Sequence, residues 1–69
     1  MKSFAYIVNK KVPSYNHLDV ILALWKWLDD NAPGRWDNRG NVINFEHDED
    51  ATMFLLVYTG NEDLKVHEI

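Results

Sequence analysis

The stretch Val42-Ile43-Asn44-Phe45-Glu46-His47-Asp48-Glu49-Asp50-Ala51-Thr52-Met53-Phe54-Leu55-Leu56 decides how this chain reads. A short apolar run stops at a block of ionisable residues, and a second apolar run begins at once. Carboxylates are favoured at the positive end of a helix dipole, so the block reads as a helix start entered from a strand. Val42 to Glu46 is then a strand, Asp48 the N-cap, and Glu49 and Asp50 the first turn. Ala51, Phe54, Leu55 and Tyr58 share one face at helical spacing, and Gly60-Asn61 supplies the stop. A second pattern overlaps this one. Phe54, Leu56 and Tyr58 also alternate, and Val57-Tyr58-Thr59 suits a strand. In that alternative, β-α-β-β, a single helical turn precedes a strand at 54–59. The longer helix is the expectation taken forward.

Upstream, Arg35-Trp36-Asp37 reads as a strand joined to Val42–Glu46 through Asn38-Arg39-Gly40-Asn41, where Gly40 can take positive φ. Before it, Leu18, Ile21, Leu22, Trp25 and Leu28 recur at the helical period, which predicts a helix with these residues as its core stripe. Asn16 is its expected N-cap, with Asp19 near capping-box spacing, and Ala32-Pro33-Gly34 ends it. Ser3 to Asn9 is a strand with apolar residues on both faces, which suits a central position. Glu62 to Ile69 is the last strand. The order β-α-β-β-α-β over residues 1–69 predicts a single α+β domain: a small antiparallel sheet with helices on one face, in the ferredoxin-like arrangement.

Composition narrows the function classes. Sixty-nine residues form a small core that buries only about 60% of the extended surface. Seven Lys and Arg against eleven Asp and Glu give a net charge of −4, the wrong sign for a general nucleic-acid footprint. There is no cysteine, which suits a reducing compartment and excludes thiolate chemistry. No apolar run approaches the roughly 20 residues of a membrane span, so a cytoplasmic protein without membrane contact is expected.

No motif requires a catalytic reading. Asp48-x-Asp50 matches only the start of a calcium loop, and His17, His47 and His67 are scattered singly. Gly34, Gly40 and Gly60 are isolated, so no loop cradles a phosphate. Asp29/Asp30 and Asp48/Asp50 read as solvated pairs rather than an acid–base couple. The expectation is a protein that is not an enzyme and holds no cofactor or metal.

The tryptophans point to binding instead. Trp27 extends Val20 and Leu24 into a second apolar stripe on a helix that already has one, and Trp36 stands in a polar stretch. Large aromatics often dominate interface energies. The expected protein-binding surface therefore joins Val20, Leu24, Trp27 and Trp36 to Glu46, Asp48, Glu49 and Asp50, the acids steering a partner with a basic surface. A homodimer through the same stripe, or through the open sheet face, is the alternative. A third is an RNA-binding domain that stacks bases on Phe4, Tyr6, Trp36 or Phe45.

Two resemblances accompany these readings. Val42 to Tyr58 resembles the corresponding strand and helix of RNA-recognition motifs, without the basic, aromatic signature that family carries on the strand. Phe45-x5-Ala51-x2-Phe54-x-Leu56, behind a Trp-bearing helix and hairpin, resembles small α+β accessory proteins of tailed bacteriophages. That likeness implies a non-catalytic protein that binds and inhibits or modulates a host protein of defence or transcription, in the host cytoplasm. It implies no site residues.

Overall fold

A computed structural model describes residues 2–69. The elements follow the order β1 (Lys2–Val8), a 3-10 turn (Ser14–Asn16), α1 (His17–Asn31), β2 (Trp36–Arg39), β3 (Val42–Phe45), α2 (Asp48–Tyr58) and β4 (Leu64–Glu68). The four strands make one antiparallel sheet in the order β2-β3-β1-β4, with both helices contributing to a single core.

β1 is central, as its two apolar faces suggested, yet only one face is covered. Phe4 and Tyr6 pair with Ile43 and Val66 along the covered face, while Ala5 and Ile7 pair with Val42, His67 and Lys65 on the other. Phe4, Phe45 and Phe54 are fully buried and mutually packed, with ring centroids 5.2 to 5.9 Å apart. Clustered rings of this kind supply both large buried area and favourable edge contacts. Phe4, Tyr6, Trp36 and Phe45 all lie on the helix side of the register. The open face instead carries Ile7 among Asp37, Arg39, Asn44, Lys65 and His67.

The acidic block does start a helix, and that helix runs through Tyr58, so the alternative strand at 54–59 is overturned. Phe54 is the reason. In a helix its ring reaches Phe4, Phe45, Trp27 and Tyr58 together, whereas a strand would turn Leu56 and Tyr58 to the same side. The cap is one residue earlier than expected. His47 is extended (φ −117°, ψ 133°) and its carbonyl accepts from the Ala51 amide, which places Asp48 inside the first turn. Asn16 is not a side-chain cap either. It already has near-helical angles (φ −100°, ψ −4°) because the 3-10 turn leads straight into α1, and capping needs an extended residue.

The hairpin is tighter than expected. β2 continues through Arg39, leaving Gly40-Asn41 as a two-residue turn. Gly40 takes φ +60° and Asn41 does not take positive φ, the signs of a type II′ turn. The Tyr6 hydroxyl, donating to Asn38 Oδ1 at 2.7 Å, ties this tip to β1.

Candidate protein-binding site

α1 carries two apolar stripes, and the core takes the one expected to face outward together with Ile21 and Leu28 of the stripe expected inside. Leu24 and Leu28 are fully buried, with Val20, Ile21 and Trp27 packed around them. The Trp27 ring lies 6.0 Å from Phe54 and 5.9 Å from Tyr58, bridging the two helices. Leu24 is therefore corrected from partner surface to core, and Val20 and Trp27 to partly buried residues packed against that core. The converse correction applies to Leu18, Leu22 and Trp25, expected inside but exposed to 63%, 48% and 36%. The physical reason lies in the helix's own charges. At about 100° per residue, Asp19, Lys26, Asp29 and Asp30 cluster on the side opposite Leu24. Charges that cannot be buried fix the rotation, and Leu22 is carried outward among them.

Trp36 is half-buried against the core beside Phe45, so it supports the sheet rather than standing free. The acids divide. Glu46, Asp48 and Glu49 are exposed, whereas Asp50 is buried and accepts a hydrogen bond from Arg35 Nε at 2.9 Å. The Arg35 guanidinium also donates to the Asn31 carbonyl at 3.2 Å, so one side chain joins the end of α1 to the start of α2. The bond to Asp50 raises the Arg35 pKa, with Coulombic attraction from Asp50, Glu46 and Glu49 adding to it against desolvation. Asp50 thus serves the fold, a role that sequence reasoning missed. Arg35 follows the helix-breaking Ala32-Pro33-Gly34, where nothing local signals a partner fifteen positions on.

The expected composite surface is not assembled. Glu46 and Asp48 follow the Phe45 end of β3, where Trp36 pairs, while Trp25 on the exposed side of α1 borders the other end, beside the hairpin tip. There, β1 outruns its neighbour. Ala5 is the last β1 residue paired with β3, the Tyr6 amide reaches the Asn41 carbonyl, and Ile7 and Val8 have only β4 beside them. α1 passes over this gap and leaves an open cleft of about 590 Å³, walled by Ile21 and Trp25 on one side and Ile7 and Val8 on the other. The size falls in the range of roughly 300–1,000 Å³ usual for ligand sites.

The loop at the mouth is tied down. Asn9 bonds to the Asp63 and Glu62 carbonyls through its backbone and side-chain amides at 2.8 and 2.9 Å, and its own Oδ1 accepts from the Lys11 amide at 3.1 Å. His17 Nε2 is 2.9 Å from the Val12 carbonyl, which can only accept, so this nitrogen carries the proton. The imidazole is thereby committed to structure. A second hollow of about 540 Å³ mixes Lys11 with Asp19, Glu62 and Asp63. Among the described residues, no three metal-ligating side chains converge, and no helix is long and apolar enough to cross a membrane.

Neither a family model, nor a curated protein, nor a solved structure matches the chain.

Proposed function

We propose that this protein acts without chemistry of its own, by binding another protein through the Trp25 cleft and the Leu18/Leu22 stripe beside it. One observation carries the reading: Trp25 lines a mainly apolar cleft, and exposed Leu22 and Leu18 precede it by three and seven residues on the same side of α1. Scattered exposed leucines need no explanation, but a contiguous patch next to a concavity is the usual form of a contact surface. Burying a Leu side chain in such a contact contributes about 1.5–3 kcal/mol. The likeness to accessory proteins of tailed bacteriophages supplies a setting for the proposal, a modulator or inhibitor of a host protein in the host cytoplasm.

The ferredoxin-like assignment belongs to the same proposal. Read from its other edge, the sheet order is β4-β1-β3-β2 with β3 between β1 and β2, which supports a split β-α-β arrangement. The alternatives draw less support. The paired residues of the open face include no Phe, Tyr or Trp and a single imidazole, His67, which leaves little stacking surface for RNA bases. The same face is interrupted by charged side chains, and Val20, Leu24 and Trp27 are turned inward, which weakens both surfaces suggested for a homodimer.

A photo-crosslinking residue at position 22 tests the proposal. It should capture one discrete polypeptide from a lysate of the producing cell, and the purified partner should bind Trp25→Ala at least about tenfold more weakly. Equal capture from position 49, or binding indifferent to Trp25→Ala, would contradict it.

A further inference from the structure

The cleft differs in charge from the rest of the molecule. The chain carries eleven carboxylates, yet none lines it. Its only charged lining residue is Lys10, and Lys65 stands directly across the sheet from Ile7 on the adjoining open face. Four of the seven cations are already committed, in the pairs Lys2–Glu68, Lys26–Asp30, Arg35–Asp50 and Arg39–Asp37. Among the described residues Lys10, Lys11 and Lys65 are in no ion pair; Lys10 lines the cleft and Lys65 pairs with its lining residue Ile7. In an acidic protein this mainly apolar concavity has a lysine and no carboxylate among its lining residues.

We infer that the cleft receives an acidic amphipathic peptide segment of the partner: an aliphatic or aromatic side chain flanked by Asp or Glu. The inference rests on the protein-binding reading above and reverses the sign of the partner expected from Glu46 to Asp50. The apolar side chain enters between Trp25, Ile21 and Ile7. The flanking carboxylates meet Lys10, with Lys65 adding to the attraction from across the sheet, since exposed charges act over about 10 Å at 0.1 M salt. Rim charges of this kind set encounter rate and specificity, while the buried side chain sets affinity. The ties from Asn9 and His17 hold the Lys10 loop in place before binding, which reduces the ordering cost.

Selection from a random peptide library on the immobilised full chain tests this. Enriched sequences should carry an apolar residue with Asp or Glu within a few positions. A synthetic peptide of that sequence should bind roughly tenfold more weakly to Lys10→Glu/Lys65→Glu, and weaken as salt rises. Binding should be lost with Trp25→Ala or, should that variant unfold, with Leu22→Asp. Enrichment of basic or uncharged apolar peptides through the same residues would overturn the acidic-segment inference while leaving protein binding standing. No enrichment, or binding insensitive to both cleft variants, would overturn both. Sedimentation showing a dimer that Trp25→Ala dissolves would also overturn the inference, since a second copy would then cover the cleft.

Discussion

Helix α1 presents the same kinds of residue on two sides and uses them oppositely. Val20, Leu24, Trp27 and Leu28 lie in or against the core; Leu18, Leu22 and Trp25 stand in solvent beside a cleft. Composition does not separate the stripes, for each has a tryptophan and at least one leucine. What separates them is the company they keep. One stripe lies opposite the charges of the helix and meets Phe54 and Tyr58, while the other lies among or beside those charges and reaches only the wall of the cleft, through Trp25. Hydrophobic periodicity therefore identifies candidates for burial, and charge placement chooses between them.

The contrast can be broken at its core end most severely. Phe54 touches four other aromatic rings and is fully buried, so Phe54→Ala should cost about 3–5 kcal/mol, read as a shift in urea midpoint. In a domain this small, such a loss approaches the whole stability. The acidic block offers a second contrast. Asp50→Asn removes the buried charge facing Arg35 and should lower the thermal midpoint clearly. Asp48→Asn, on the exposed side of the same turn, should cost only about 0.3–1 kcal/mol of dipole interaction. If the two lower the midpoint equally, the tie between α1 and α2 is not structural.

Smaller effects sharpen the comparison. Leu18→Ser should change stability by no more than about 0.5 kcal/mol while weakening partner binding. Tyr58, desolvated in the aromatic cluster, has its pKa raised above the ordinary value of 10.0. Its neutral form is favoured in the folded state, so the unfolded chain ionises first as pH rises. Stability from this group is complete below about pH 10 and declines above it. Tyr58→Phe should flatten that decline relative to the parent when unfolding is followed between neutral and strongly alkaline pH.

Much of the fold was legible because local chemistry and tertiary demand agree. The acidic start of α2, the glycine at the hairpin and the apolar faces of β1 each point one way. The rotation of α1 was misread because two stripes of equal period overlap, although Asp19, Lys26, Asp29 and Asp30 held the answer. The Arg35–Asp50 tie could not be read, since neither residue's neighbours mark a partner across the helix ends. The cleft was invisible for a related reason. It exists because β1 outlasts the Gly40-Asn41 turn, a register property that appears only when the strands are paired.

The most direct test is a matched pair two residues apart on one helix, Leu24→Ala and Leu22→Ala, compared by equilibrium urea unfolding. The chemical change and its effect on helix propensity are the same, so only surroundings differ. Leu24 is fully buried and Leu22 is 48% exposed. Leu24→Ala should lose about 2–5 kcal/mol and Leu22→Ala about 1 kcal/mol or less. Equal losses, or a larger loss at position 22, would place the wrong stripe in the core and remove the proposed binding surface with it.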